Sequence, residues 1–443
     1  MPLDKHAGEC ESMIMNSSNR LSASEPIVTH AAPLEVTGPR RGTHALLPDP
    51  EPREVKYTVI SVDDHIVEPP ELFVGRVPDR FSDLIPRVVT DEDGTEAWEY
   101  DGNRFKQIGL NAVSGRPKED WLLQAANFEE MRRGCFDPLA RVLDMDINGV
   151  WASLNFPSQI TGFCGSVFAR TKDANLGFAV MQAWNDWMAE EWWGAAPERF
   201  IPLGITWLRD PERGAAEIRR NAARGITAVT LPEQPHRIGL PSIFSDYWDP
   251  ILRACEETDT IICLHVGSTG LTPMPADAPQ HHLGATLFPA LSLNTCAEWL
   301  WSGIPLRFPN IKITLAEGGI GWVPMLMDRL DYMMAQSSEN HLQWLSKEIG
   351  PTEVLQRNFW FCTIDDPSSL AGRHRIGVDN ILFEVDYPHA DSTWPDTQAY
   401  IEQHYRDIPV DEIRQITHLN AAKLFRHPLP QVCLPIDSRA KRH

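Results

Sequence analysis

The sequence predicts a (β/α)₈ barrel with a long insertion after its first strand. Eight short apolar, β-branched runs recur along the chain, and helical segments separate them. The runs are continuously apolar rather than alternating, as expected of parallel strands buried on both faces. A chain of 443 residues, 42% of them hydrophobic, has the length and core-forming content for one such barrel with insertions and tails.

Strand one is TVISV (58–62), and VWASLN (150–155) is the second. FIPLGIT (200–206), ITAVTL (226–231), TIICLH (260–265), IKITLA (311–316), FWFCT (359–363) and ILFEVD (381–386) complete the eight. Helices are expected at 138–148, 171–193, 211–224, 245–258, 289–307, 322–334, 354–358 and 411–425, with 366–378 between the last two strands. This alternation suits a closed parallel barrel, and an open doubly wound sheet is the alternative. No Gly-x-Gly-x-x-Gly follows strand one, so the dinucleotide-binding version of the open sheet is set aside. The segment 66–137 is too long for a connection and carries VVTDEDGTEAWEYDG, a hairpin pattern with an Asp-Gly turn. Lying after strand one, it is expected at the substrate face as a lid or substrate-selecting insertion. Residues 1–55, rich in Pro, Ser, Glu and Arg, read as a disordered tail, and 428–443 as a second one, which leaves 56–427 for the barrel.

The formal net charge of −21 opposes nucleic-acid binding. Eight cysteines are scattered with no Cys-x-x-Cys pair, which suits reduced thiols. With no signal-like leader and no apolar run of transmembrane length, the expectation is a cytoplasmic protein that does not engage membranes. Trp184, Trp187, Trp192 and Trp193 share one helical segment and are expected in the core or at the interface of a homodimer.

The chemistry lies where strands end. Strand one runs into Asp63-Asp64-His65, strand five ends in His265, Glu317 follows strand six, and strand eight ends in Asp386. In a closed barrel these ends converge on the functional face. Residues two apart on a strand point to one side, so Asp63 and His65 aim together into the mouth while Asp64 turns away, and no special register is required. With His265 and Asp386 they make two imidazoles and two carboxylates, a set suited to one divalent Zn²⁺, Mn²⁺ or Fe²⁺ ion. Glu317 is either an acid, base or water-positioning group or a carboxylate bonded to the barrel rim. His389 and Asp391 either orient substrate or shape the loop. Asn155, Trp207 and Glu233 follow strands and are candidates to line the pocket, Asn155 as a substrate contact, whereas Trp322 is expected to pack at a helix start.

VDDHIVEPPELF, LHVGSTG, ITLAEGGIGWVPMLMDRLD and FEVDYPHADSTWP together resemble the amidohydrolase-2 branch of the amidohydrolase superfamily, which includes aminocarboxymuconate-semialdehyde and gamma-resorcylate decarboxylases. The resemblance spans about residues 58 to 425. It implies a barrel with a single divalent metal, Zn²⁺ or Mn²⁺, and matches Asp63 and His65 to the strand-one metal pair, His265 to the strand-five ligand and Asp386 to the strand-eight aspartate. Two positions depart from the pattern: Asp63 replaces the first His of His-x-His, and Glu317 stands where decarboxylases often carry His. The resemblance favours non-oxidative decarboxylation of a small, aromatic carboxylic acid, with Asp386, Glu317 and His389 as the reacting side chains. Metal-dependent hydrolysis of an amide, ester, lactone or carbon–carbon bond is the alternative, and a non-catalytic barrel with a vestigial site is the third reading.

Overall fold

The computed structural model describes residues 45–51, 53–121, 125–337, 343–364 and 366–436. All eight expected runs form barrel strands: β1 Ile60–His65, β2 Ala152–Phe156, β3 Phe200–Ile201 and Leu203–Gly204, β4 Ala228–Leu231, β5 Ile261–His265, β6 Ile313–Ala316, β7 Phe359–Thr363 and β8 Ile381–Phe383. Neighbours pair in parallel and in sequence order. The ladder breaks within β3, at Pro202, which has no N–H to donate. Closure between β8 and β1 runs just beyond the regular strand, where Asp386 N donates to Asp63 O (2.7 Å) and His65 N to Tyr387 O (2.7 Å). Strand eight was expected to reach residue 386, but its regular part ends at Phe383; Glu384 N still donates to Thr363 O of β7 (3.3 Å), and from Val385 onward the amides bond β1.

Two cores follow from strands buried on both faces. Ile60, Val62, Leu154, Phe156, Leu203, Ile261 and Leu382 fill the barrel, and Leu424 and Phe425 of the last helix plug one end. A second layer packs between strands and helices and takes in Trp184, Trp187 and Trp192, so these three belong to the core. Their indoles lie in series with Phe200, at centroid distances of 6.2, 5.6 and 5.3 Å. Helices begin where the sequence supplies Asp-Pro. Asp137 caps Pro138–Asn148 and Asp210 caps Pro211–Ala223, each carboxylate accepting two backbone amides, a contribution of about 1 kcal/mol per cap. The expected helix 289–307 is divided into Phe288–Trp301 and Ile304–Arg307 because Gly303 adopts φ +74°.

The described residues of the insertion build regular structure. Its expected hairpin is a three-stranded meander of Arg87–Thr90, Glu96–Tyr100 and Asn103–Phe105, turning at Gly94 with φ +82°. Its later part reaches the strand-eight loop, where Val113 N and Ser114 N both donate to Pro388 O at 2.9 Å. Most of the expected N-terminal tail lies outside the described residues. Its described end is pinned, with Leu47 N on Gly115 O (2.7 Å) and Asp49 paired with Arg132 (2.9 Å). Residues 428–436 of the expected C-terminal tail also return to the barrel, through Thr58 N on Leu434 O (2.9 Å). Among the described residues no disulfide forms and no helix is long and apolar enough to cross a membrane.

Candidate metal centre

The parity of β1 is changed by a bulge. Ser61 pairs with Ser153 but Asp64 with Asn155, so β1 carries one residue more than β2 between these points. Ile60 and Val62 therefore face the barrel interior, and beyond the bulge Asp63 and His65 do. The expectation that no special register is needed is corrected here. On a regular pleat Val62 and Asp64 would share a face, and the bulge is what turns Asp63 inward. Asp64 turns out, as expected, to accept Ser61 Oγ (2.9 Å) and Tyr387 N (3.1 Å), with Arg141 of the Pro138–Asn148 helix 4.0 Å away.

Asp63, His65 and His265 converge at the barrel mouth, all buried. His265 Nε2 lies 3.1 Å from His65 Nε2, and Asp63 Oδ1 is 3.5 Å from both. His265 Nδ1 donates to the Val266 carbonyl at 2.7 Å, which leaves the Nε2 lone pair facing the cluster. Asp386 meets this triad through His65, its Oδ1 3.2 Å from Nε2, and forms further groups with His389, Glu317 and Asp391. Both carboxylate oxygens of Asp63 and of Asp386 are buried without a hydrogen-bond partner. Two imidazole nitrogens at contact distance among unbonded carboxylates are unfavourable by themselves. They fit a divalent cation, whose ligands about 2.1 Å from the ion stand roughly 3.0–3.5 Å apart.

Burial pushes Asp63, Glu384 and Asp386 above the usual carboxylate range, and the neighbouring acids add to the rise at Glu384 and Asp386. Burial lowers His65 well below its ordinary value and His389 to about 3, so both imidazoles are neutral and able to act as ligands. At His265 burial works in the same direction, but the Asp63 carboxylate outweighs it and the net shift is upward. Glu317 and Asp386 both sit in the left-handed backbone region, at φ +59° and +57°, a conformation uncommon for residues other than Gly, Asn and Asp and concentrated at functional sites.

The other predicted residues divide. Glu317 Oε2 lies 3.6 Å from His265 Nε2. His389 stacks on His65 at 3.9 Å, and Asp391 joins the cluster from an exposed position. Asn155 is a correction. Leu154 and Phe156 face the barrel, so Asn155 faces out, where it accepts Trp192 Nε1 (2.9 Å) and donates to Ser153 Oγ (3.1 Å). Trp207 is likewise core, edge-on to Phe178. Glu233 braces the loop after His265 by accepting Gly267 N (2.9 Å) and Thr295 Oγ1 (3.3 Å). Trp322 packs edge-on to Phe361 at the start of Val323–Gln336, as expected.

Sequence reasoning missed Glu384, fully buried, whose Oε2 accepts Glu317 N (3.0 Å). The signal was available: Glu384 and Asp386 stand two apart, as Asp63 and His65 do. It also missed Phe163, whose ring lies 5.6 Å from His65 and 5.0 Å from His265 and which joins Phe156 as an aromatic wall. A surface groove of about 860 Å³ between Leu72, Arg76 and Trp187 contains none of these residues.

The amidohydrolase-2 family model, described as Amidohydrolase, matches residues 98–427. The chain belongs to the amidohydrolase family. The match begins after β1, and it is the fold that brings Asp63 and His65 to the family's barrel. A 2-amino-3-carboxymuconate-6-semialdehyde decarboxylase of Dictyostelium discoideum is 24% identical over 281 residues, covering 61% of this chain and 72% of that protein. Among solved structures, an amidohydrolase from Mycobacterium avium subsp. paratuberculosis K-10 aligns with a TM-score of 0.64 at 20% identity, over 83% of this chain and 99% of its own. A dihydroxybenzoic acid decarboxylase from Polaromonas sp. JS666, holding manganese and 2-nitroresorcinol, aligns at 0.57 with 19% identity, over 84% and 97%. These likenesses bear out the barrel read from the strand rhythm and the family read from the motifs.

Proposed function

We propose that this amidohydrolase-family protein is a divalent-metal-dependent, non-oxidative decarboxylase of a small aromatic carboxylic acid. The observation that carries the reading is the pair of imidazole nitrogens 3.1 Å apart among buried carboxylates without hydrogen-bond partners. Asp63, His65 and His265 would hold Mn²⁺ or Zn²⁺, with Asp386 Oδ1 at its side. The bound ion would act as a Lewis acid that fixes the substrate carboxylate and a neighbouring oxygen. Phe156 and Phe163 would seat the aromatic ring and exclude water. The remaining oxygen of Asp386, whose affinity for a proton is raised by burial, would deliver that proton to the ring carbon bearing the carboxylate. A C–H bond forms there. The C–C bond to the carboxylate then breaks, its electron pair restores the aromatic ring, and carbon dioxide leaves. Glu317, His389 and Asp391 border the same space and position the substrate. The insertion would close over it as a lid, held by Val113 and Ser114 on Pro388.

One observation favours a second reading. Glu317 offers a carboxylate 3.6 Å from His265 at a position able to act as a general base, which suits metal-assisted hydrolysis. A panel of hydroxybenzoic acids and their esters, followed for carbon dioxide release, separates the two. Release from a free acid supports decarboxylation, and ester or amide cleavage without release contradicts it.

A further inference from the structure

We propose that the buried ion pair of Arg132 and Asp144 positions the loop that brings Asp386, His389 and Asp391 to the barrel mouth. This role rests on the proposed function only in what the loop does once it is placed. Arg132 lies near the end of the insertion, and Asp144 belongs to the helix Pro138–Asn148. Arg132 Nε donates to Asp144 Oδ1 at 3.1 Å, and both residues are buried. Neither is part of the cluster at the metal centre.

Both ends of the loop converge on this pair. At the near end Tyr387, next in sequence to Asp386, donates its hydroxyl to Asp144 Oδ2. At the far end Trp394 Nε1 donates to the Asp144 carbonyl at 3.0 Å, and the Arg132 guanidinium lies over the Trp394 ring at 4.7 Å. The Tyr387 and Trp394 rings are neighbours in turn, with centroids 5.8 Å apart. The insertion adds a third hold, since Val113 N and Ser114 N both donate to Pro388 O at 2.9 Å. The loop is thus fixed at Tyr387, Pro388 and Trp394. Asp386 adjoins the first of these anchors, and His389 and Asp391 lie between the last two.

The chemistry of the pair suits direction more than adhesion. Taking Arg132 and Asp144 out of water carries a desolvation penalty that apolar side chains of similar size would not incur. What the charges add is a separate, fixed partner for each carboxylate oxygen: Oδ1 takes the guanidinium and Oδ2 the phenol. A carboxylate accepts on both sides, whereas an amide accepts on one, so an acid is needed where two donors meet. The planar guanidinium presents its edge to Asp144 and its face to Trp394 together, which a lysine ammonium cannot do. Gly134 supplies the room. A Cβ there would stand 2.1 Å from Asp144 Oδ2 and 3.0 Å from the Tyr387 hydroxyl. On its outer side Arg132 Nη1 meets the exposed Asp49 at 2.9 Å, a contact that solvent weakens.

The test compares Tyr387→Phe, Asp144→Asn and Tyr100→Phe in the full-length, Mn²⁺-reconstituted protein. Tyr387→Phe removes one hydroxyl from the anchor and keeps the ring. Tyr100→Phe removes a similarly buried hydroxyl, bonded to Thr171 at 2.8 Å, that has no part in the loop. Each variant is read by metal content, by the electron paramagnetic resonance spectrum of the bound Mn²⁺, and by kcat and KM for carbon dioxide release. Asp63, His65 and His265 stand on β1 and β5, so every variant should retain the ion. Tyr387→Phe and Asp144→Asn should alter the zero-field splitting of the Mn²⁺ spectrum, because Asp386 at the ion's side shifts with the loop. Their kcat should fall by about 10- to 100-fold, with a smaller rise in KM. Tyr100→Phe should match wild type in both. If Asp144→Asn does not fold, Tyr387→Phe decides. An unchanged spectrum or an unchanged kcat in Tyr387→Phe overturns the positioning role and leaves the proposed function standing, as does an equal loss in Tyr100→Phe. Wild type that holds the ion but releases no carbon dioxide overturns the proposed function, and the spectra alone then decide the positioning role. Wild type that holds no ion overturns both.

Discussion

His265 shows how one backbone carbonyl sets the chemistry of a ring. Its Nδ1–H is held by Val266 O, so Nε2 is left to face His65 and Asp63. Loss of the imidazole in His265→Ala removes that donor outright. In the proposed reaction Asp386 carries the proton, and Asp386→Asn, which cannot hand over a carboxyl proton, should lower turnover by about 10²–10⁴-fold, read as the rate of carbon dioxide release. Glu233, which braces the loop after His265 without being one of the triad, allows a pH test of stability. Burial raises its pKa from 4.5 to about 7, so folding favours the protonated form. Its contribution to stability is complete below pH 4.5 and declines as pH rises toward 7. Glu233→Gln imitates the protonated acid and lacks this slope. Between pH 5 and pH 8 wild type should lose on the order of 3 kcal/mol relative to the variant. Urea unfolding at both pH values checks this, and a pH-independent difference contradicts it. At this scale the convergence of Asp63, His65 and His265 was legible because strand ends gather at one face of a barrel. Asn155 was misread because a strand-end position alone does not give a facing, and its amide serves Trp192 instead.

Among the elements, β1 is the one whose detail the sequence hides. The inward pair Asp63 and His65 depends on the bulge after Ser61, and nothing in ISVDDH announces an extra residue. The break of β3 at Pro202 was legible in principle, since proline cannot donate to a ladder. The insertion is joined to β1 by Arg141, fully buried, which donates to the carbonyls of Gly134 (2.6 Å) and His65 and faces Asp64. Its guanidinium also lies over the Tyr387 ring at 4.4 Å. Arg141→Met would keep much of the volume and remove the donors. It should destabilise the protein by roughly 2–4 kcal/mol, seen as a fall in the urea midpoint, and an unchanged midpoint would show that the join carries little energy.

Over the whole molecule, eight strands, their order and the fold class were readable because a parallel barrel imposes a strict alternation of buried runs and helices. What was not readable is how the ends are secured. Residues 45–51 pack on the insertion and Leu434 pairs with Thr58, although both regions have the composition of loose tails. These contacts are long-range in sequence and leave no periodic pattern. A cation that ties together β1, β5 and the loop after β8 should also stabilise the whole barrel. With free Mn²⁺ at about 1,000 times its dissociation constant the gain is about 4 kcal/mol, so chelation should lower the melting temperature by several degrees and Mn²⁺ should restore it. The most direct test of the account is metal content by plasma mass spectrometry on reconstituted wild type and His265→Ala. The account predicts at least one equivalent of Mn or Zn in wild type, with the triad's ion lost in the variant. Wild type that holds no metal after reconstitution would contradict it.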